Sequence, residues 1–347
     1  METAVKLPAV TKGAGVLGRV SAGWRDGVVV TTQSPWTIAR PMMASPAPNI
    51  VFVKSLEREH LEELVRAGTS RPIVIGLGSG LAMDAAKYIA WRTGASLIQV
   101  PSTVSNNACF TRTCGCLEQG QRAPVRNVPV PEQILIDPDL IRQAPARLNR
   151  AGVGEVLCSH TSLVDWELAH RAGRDVDWQA AIAERTRREL RTLEQVAPAI
   201  GADEMDGYIA LMDIGERFAP EFLAHPKARF NAASEHLFAW CLEQQMGRRL
   251  IHGESVCLGI LLMAHVQDNA PDWAAGVIRA ARVAFRPEQI GTTWDQVERA
   301  VLALPDYARQ VVPWYSIIDA LTDHATDGHG KLERGFKAAR AFVEGLH

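Results

Sequence analysis

Ile73-Val74-Ile75-Gly76-Leu77-Gly78-Ser79-Gly80-Leu81-Ala82-Met83-Asp84-Ala85-Ala86-Lys87 is the stretch whose reading decides the fold. A β-branched run enters a glycine-rich turn, and apolar residues at helical spacing follow from Leu81 to Arg92, with Gly94 placed to close the helix. Glycine lets the chain turn tightly and lets a phosphate approach backbone amides, and the following helix offers free N–H groups and the positive end of its dipole. Gly78, Ser79 and Gly80 are therefore candidates to cradle a nucleotide phosphate, a tight βα turn without ligand being the other reading. The stretch is neither G-x-G-x-x-G nor a P-loop, because no Gly-Lys-Ser/Thr follows.

Similar runs lie on either side. Val28-Val29-Val30-Thr31, Ile50-Val51-Phe52-Val53, Leu97-Ile98-Gln99-Val100 and Ile134-Leu135-Ile136 are short and apolar, and helical spacers such as 56–67 separate them. That alternation predicts an α/β domain with a mostly parallel, buried sheet. Beyond Ala151 no further β-branched series occurs. Helical patterns cover 155–170, 178–196, 202–222, 232–246, 254–269, 274–285, 294–304, 312–322 and 332–346. Pro145 and Asn149-Arg150-Ala151-Gly152 mark the expected boundary, giving a nucleotide-binding α/β domain over 1–148 and an all-α domain over 149–347. A chain of 347 residues agrees with two domains of roughly 100–200 residues each.

Composition narrows the class. With 47% hydrophobic residues the chain can bury real cores, and a net charge of -2 gives no reason to expect nucleic acid or an anionic membrane as partner. The six cysteines form no C-x-x-C pair, and Cys114 and Cys116 flank a single glycine, too close for an ordinary zinc knuckle. Free thiols in a reducing compartment are expected. The segment from Met1 to Arg19 has no apolar core of a secretory signal, and Gly259-Ile260-Leu261-Leu262-Met263 is far short of the roughly 20 residues of a membrane span. The expectation is a soluble cytoplasmic protein.

Two further features carry chemistry. Leu97-Ile98-Gln99-Val100 ends in Pro101-Ser102-Thr103-Val104-Ser105-Asn106-Asn107, a hydroxyl- and amide-rich loop at the carboxyl edge of the sheet, where open α/β folds bind ligands. Ser102, Thr103 and Ser105 can donate to phosphate or ribose, while Asn106 and Asn107 can bond a polyol or carbonyl; an ordinary Ser/Asx turn is the alternative. Downstream, Glu155, His236 and His252 could supply one carboxylate and two imidazoles to a divalent ion and leave a position open for substrate. Spacing alone does not select these two from ten histidines.

In their order these motifs resemble the dehydroquinate synthase / iron-containing alcohol dehydrogenase / glycerol dehydrogenase superfamily, and within it the sn-glycerol-1-phosphate dehydrogenases. The family's Gly-Gly-Gly, three residues, Asp, two residues, Lys matches Gly78-Ser79-Gly80, Asp84 and Lys87. Its Pro-Thr-x-x-Ser-x-Asp matches 101–107. Also similar are Ile136-Asp137-Pro138, Ala144-Pro145, Asp165-Trp166, Ser234-Glu235-His236, His252-Gly253-Glu254 and Trp314-Tyr315-Ser316-Ile317-Ile318, so the likeness spans about 10–330.

The resemblance implies a dehydroquinate synthase-like fold: a Rossmann-like N-terminal domain binding NAD or NADP, a helical C-terminal domain, and a zinc or iron ion in the cleft between. It implies Glu155, His236 and His252 as metal ligands, with Gly78, Ser79, Gly80, Asp84, Ser102, Thr103 and Ser105 at the cofactor and Asn107 and His252 at the reacting group. A homodimer or larger homo-oligomer is expected, since relatives are often oligomers. Three departures stand out: the family's aspartate ligand is Glu155, its substrate-side aspartate is Asn107, and the acidic residue after the first strand is missing from Val30-Thr31-Thr32-Gln33. The last permits a 2′-phosphate, so NADP is expected as readily as NAD.

The leading expectation is a metal-dependent NAD(P)-linked oxidoreductase acting on a polyol or polyol phosphate such as glycerol 1-phosphate. The alternative is a dehydroquinate synthase-like lyase or cyclase using NAD transiently on a sugar phosphate. Against it, Thr113-Cys114-Gly115-Cys116 stands near where such enzymes carry Gly-Gly-Lys. A binding protein that keeps the fold without the chemistry is the third reading, motivated by Asn107 and Glu155.

Overall fold

A computed structural model describes residues 6–44, 49–67, 71–175, 177–225, 227–312, 314–322 and 328–346. The chain divides into two compact units, Met1–Asn149 with Gly215–Lys227, and Arg150–Ile214 with Ala228–His347.

The first unit is built on six strands: β1 (Ala9–Lys12), β2 (Gly27–Thr31), β3 (Asn49–Phe52), β4 (Ile73–Gly78), β5 (Ser96–Pro101) and β6 (Gln133–Ile136). They pair throughout in parallel, in the order β1-β6-β5-β4-β2-β3. Alternation along each strand feeds two cores. Val28, Val30 and Val74 face one, with Ala82, Ala86 and Ile89 from the Gly80–Thr93 helix. Val29, Ile75 and Leu77 face the other, with Trp24 and Trp36. Both faces are covered along β2, β4, β5 and β6, which is why these strands read as continuous apolar runs.

The strand order reverses direction between β2 and β4: the chain moves outward from β2 to β3, then crosses back to β4 and continues through β5 to β6. Ligands bind open parallel sheets at the carboxyl ends beside such a switch point. The glycine loop follows β4 there. Register places Gly78 opposite Pro101, so the two loops leave the sheet side by side.

The glycines of β4 are required by close packing. A Cβ on Gly76 would meet Ala86 Cβ at 2.8 Å and Gln99 Oε1 at 2.7 Å, so only glycine lets the Gly80–Thr93 helix lie this near its strand. The expected C-cap Gly94 takes φ +70° and donates its N–H to Ala90 O. Between β5 and β6 the chain adds two small antiparallel ribbons, Thr113–Cys114 with Val125–Arg126 and Leu117–Glu118 with Gln121–Arg122, which no pattern in the sequence announces. Residues 215–227, from the latter part of the Met205–Ala224 helix onward, also cluster with this unit, where Gly215 lies against Phe110 and Glu216 pairs with Lys12.

Among its described residues the second unit is helical and contains no strand. The Ser234–Met246 and His252–Val266 helices form a hairpin whose close contact depends on Gly259; a Cβ there would stand 2.7 Å from Glu235 O. The expected helix over 155–170 is interrupted at Cys158, giving Val153–Leu157 and Ser159–Arg171. The carbonyl of Glu155, just before the break, accepts from Asn231 Nδ2 at 2.8 Å. No described helix is long and apolar enough to cross a membrane.

Candidate functional site

Two sets of candidate residues take shape, one in each unit. In the second, the Val153–Leu157 and His252–Val266 helices meet backbone to backbone. A Cβ on Gly253 would stand 1.8 Å from Ala151 O, and one on Gly154 2.4 Å from Gly253 O. This contact sets Glu155 beside His252, with Oε1 to Nε2 at 3.3 Å. The helical hairpin brings His236 alongside, its ring centroid 5.2 Å from that of His252. One ligand atom from each of Glu155, His236 and His252 lies within 4.8 Å of the others.

His236 is oriented from behind. Its Nδ1 is 2.9 Å from Glu235 Oε1, and that oxygen also accepts from Ala233 N at 2.8 Å. Glu235 Oε2 accepts from Thr161 Oγ1 at 2.8 Å, and the carboxylate is wholly buried. A carboxylate on Nδ1–H leaves Nε2 as the lone-pair nitrogen, the arrangement that holds imidazole ligands to metals. One carboxylate and two imidazoles suit zinc or ferrous iron, so the donor set fits the implied ion.

A second group, Cys158 with Glu235 and His236, is as close. A thiol must ionise to ligate. Burial, then the charges of Glu235 and Glu155, push the Cys158 thiol well up. It donates instead toward Asn231 O at 3.0 Å and Glu155 O at 3.3 Å. The Glu155 set is therefore the better cation site.

Behind this layer sits Asp165. Its Oδ2 accepts from Ser234 N at 3.1 Å and Ser234 Oγ at 2.5 Å, at the start of the helix that carries His236. Its Oδ1 accepts from Gln267 Nε2 at 3.1 Å and Ile317 N at 2.8 Å. Burial is the main cause that pushes its carboxyl up to about 6; the Glu235 charge adds to this and the Ser234 bonds oppose it. Sequence reasoning reaches Asp165 and Glu235 only as parts of motifs and gives neither a role. The signal that could have found them is an acidic residue at an apolar helix position, which demands a partner.

In the first unit, Gly78 takes φ +147°, a conformation open to glycine. Ser79 caps the Gly80–Thr93 helix without a side-chain cap bond. A Cβ on Gly80 would meet Asn106 Nδ2 at 3.3 Å, so the second loop rests on the helix N-terminus. Ser102 N donates to Gly78 O at 2.8 Å and joins the two loops. Thr103 Oγ1 and Ser105 Oγ are 2.7 Å apart, and Asn106 Nδ2 donates to Ser105 Oγ at 3.2 Å. Asn107 stands at the start of the Ala108–Phe110 turn and bonds it through its carbonyl to Phe110 N. Asp84 and Lys87 have a structural setting here. They pair at 2.7 Å, Asp84 Oδ2 accepts from Gly115 N at 2.8 Å, and Lys87 Nζ donates to Thr113 O at 2.7 Å.

Comparison with known proteins follows the same lines. Residues 39–145 match the iron-containing alcohol dehydrogenase family. The glycerol-1-phosphate dehydrogenase of Aeropyrum pernix, named for NAD(P)+, is 25% identical over 316 residues, covering 86% of this chain and 88% of that protein. Its counterpart from Hyperthermus butylicus is 29% identical over 245 residues, covering 70% and 69%. Among solved structures, that of a probable glycerol dehydrogenase from Sinorhizobium meliloti 1021 superposes with a TM-score of 0.77 at 17% identity, covering 98% of both chains. That likeness carries the fold: a parallel-sheet α/β unit and a helical unit.

Proposed function

We propose that this chain is a divalent-metal-dependent, NAD(P)-linked dehydrogenase that interconverts a polyol phosphate, of which glycerol 1-phosphate is the leading candidate, with the corresponding ketone. The observation that carries the reading is the convergence of Glu155, His236 and His252, with Glu235 Oε1 2.9 Å from His236 Nδ1. The relatives named above supply the substrate class. A divalent ion held by Glu155, His236 and His252 would supply polarisation of a carbinol or carbonyl oxygen, and a bound nicotinamide would supply the hydride donor or acceptor.

The remaining work falls to the chain. Glu155 Oε1 and the imidazoles of His236 and His252 present the donors. Glu235 Oε1, 2.9 Å from His236 Nδ1, would favour the tautomer that leaves Nε2 to a metal. Two carboxylates, Glu155 and Glu235, set the local charge against a divalent cation. The amides at the start of the Gly80–Thr93 helix and the φ of Gly78 suit a pyrophosphate, and Ser102, Thr103 and Ser105 offer hydroxyls from the adjoining loop. Asn107, where the family carries an aspartate, removes a negative charge that would repel a phosphorylated substrate. The stretch after β2, Thr32-Gln33, lacks a carboxylate for the adenosine ribose, which suits NADP as well as NAD.

The test is metal analysis of the purified protein together with nicotinamide absorbance against polyols, polyol phosphates and their ketones, using both nucleotides. About one metal per chain and a substrate-dependent absorbance change support the proposal. Bound metal and nucleotide with no net change for any of these substrates would transfer the assignment to lyase or cyclase chemistry. Asn107→Asp should shift the activity ratio from phosphorylated toward neutral polyols; an unchanged ratio removes Asn107 from substrate choice.

A further inference from the structure

Cys114 and Cys116, which the proposed chemistry leaves unused, stand with their sulfurs 3.3 Å apart. The turn between them is tight: Cys116 N donates to Cys114 O at 2.9 Å, across the single residue Gly115. Gly115 N is held by Asp84 Oδ2, and a Cβ on Gly115 would come within 3.1 Å of that oxygen, so glycine suits the centre of the turn. Cys114 Sγ also donates to Asp84 O at 3.1 Å. Backbone, carboxylate and sulfur contacts thus converge to hold the thiols together.

From this geometry we infer that Cys114 and Cys116 form a dithiol that a hydroperoxide converts reversibly to an intramolecular disulfide. Closure requires the sulfurs to approach from 3.3 Å to the roughly 2.05 Å of a disulfide. Cys116 is the attacking sulfur. The Cys114 S–H beside it, and more weakly the charge of Arg58, hold its thiol below the ordinary value, whereas the shared hydrogen bond, burial and the Asp84 charge hold Cys114 well above. The Cys116 thiolate attacks a peroxide oxygen: an S–O bond forms, the O–O bond breaks, and hydroxide leaves to become water. The Cys114 sulfur then attacks the resulting sulfenic acid, losing its proton as the S–S bond forms and the S–O bond breaks, and a second water leaves. Two thiols give up two hydrogens and two electrons, and one hydrogen peroxide becomes two waters.

Both thiols are buried in the apolar cluster with Leu61, Ala85 and Tyr88, so peroxide reaches them only when the ribbons open. Cys114 lies in one of the two-residue ribbons, and Cys116 lies between them. Two-stranded ribbons are marginal alone and open locally more easily than a packed sheet. The other cysteines, Cys109, Cys158, Cys241 and Cys257, are buried in helices or their turns with thiols raised by burial. Oxidation removes the S–H that Cys114 shares between Cys116 Sγ and Asp84 O, a contact with the helix that follows the glycine loop.

The experiment treats the intact protein with hydrogen peroxide, alkylates the remaining thiols and maps the peptides by mass. The expected product has lost two hydrogens, links Cys114 to Cys116, leaves the other four cysteines alkylated, and returns to the dithiol with dithiothreitol. In Cys114→Ser, Cys116 should stop at the sulfenic acid and be captured by dimedone. Full alkylation of both cysteines after peroxide, or the absence of a dimedone adduct in a folded Cys114→Ser protein, overturns the inference. Neither readout depends on the metal or on dehydrogenase activity.

Discussion

At the scale of the residue, Glu235 and Asp165 have different duties behind His236. Glu235 touches the ring directly, so its removal acts on metal affinity. Gln at this position retains the shape but presents one donor and one acceptor where Ala233 N–H, Thr161 O–H and His236 Nδ1–H all donate. Loss of such outer carboxylates weakens metal binding by roughly 10–100-fold. That loss is expected for Glu235→Gln in a chelator-competition titration. Unchanged affinity in a folded variant would show that the tautomer of His236 is set by something else. Asp165 acts on stability instead. Its carboxyl is raised from 3.8 to about 6 in the fold. The folded state therefore binds the proton more tightly than the unfolded state. The stabilisation is fully present below the unfolded value and is lost as pH rises through about 6. A shift of this size corresponds to about 3 kcal/mol. Urea unfolding across this window should show the wild type losing about that much relative to Asp165→Asn, whatever offset the substitution itself brings. Parallel pH profiles for the two proteins would contradict this account.

At the scale of the element, the metal candidates meet because two helices touch through glycine. Gly253→Ala puts a methyl 1.8 Å from Ala151 O, and no flexible side chain is there to yield. The Val153–Leu157 helix must then move from the His252–Val266 helix, carrying Glu155 from His252. Overpacking of this kind costs about 1–3 kcal/mol or more, and metal content should fall with it. Gly276, inside the Pro271–Ala280 helix, has open space where an added methyl would sit, with nothing within 4 Å. Gly276→Ala should therefore stabilise by up to about 1 kcal/mol through helix propensity. Thermal melts of the two variants should move in opposite directions, and metal content should fall in Gly253→Ala alone. The same elements explain what could be read in advance. β2, β4, β5 and β6 are β-branched or apolar because both faces of the sheet are covered there, and the sequence carries that pattern openly; β3, at the edge, is apolar too but leaves Ile50 and Phe52 exposed. Ala9–Lys12, at the sheet edge with an exposed-to-half-buried pattern, lacks such a run. The ribbons at 113–126 are held by single contacts such as Gly115 N to Asp84, which leave no periodicity. Glu155, His236 and His252 are legible through family likeness alone, since one-dimensional spacing contains nothing of the Gly154 and Gly253 contact that sets Glu155 beside His252.

For the whole molecule, the two candidate sites rest on separate compact units, with the glycine loop in one and the cation donors in the other. Each ligand should therefore stabilise its own unit first. A ligand that binds only the folded form opposes local opening by about 2.7 kcal/mol at 100 times its Kd, a roughly 100-fold slowing of amide exchange where opening exposes the site. Hydrogen exchange on the metal-free protein, with zinc or NADP added singly, can separate the two effects. Zinc should protect the Val153–Leu157, Ser234–Met246 and His252–Val266 helices, which carry the donors. NADP should protect β4 and the first turns of the Gly80–Thr93 helix, where the loop amides would be covered. Protection by zinc centred on the first unit, or by NADP on the helical one, would relocate the corresponding site. Because Asp165 ties the start of the His236 helix to the end of the His252 helix and to Ile317, zinc protection should extend to the Ile317–Thr322 helix. In Asp165→Asn that extension should shrink while protection at Val153–Leu157 persists, because the glycine contact that holds Glu155 does not pass through Asp165.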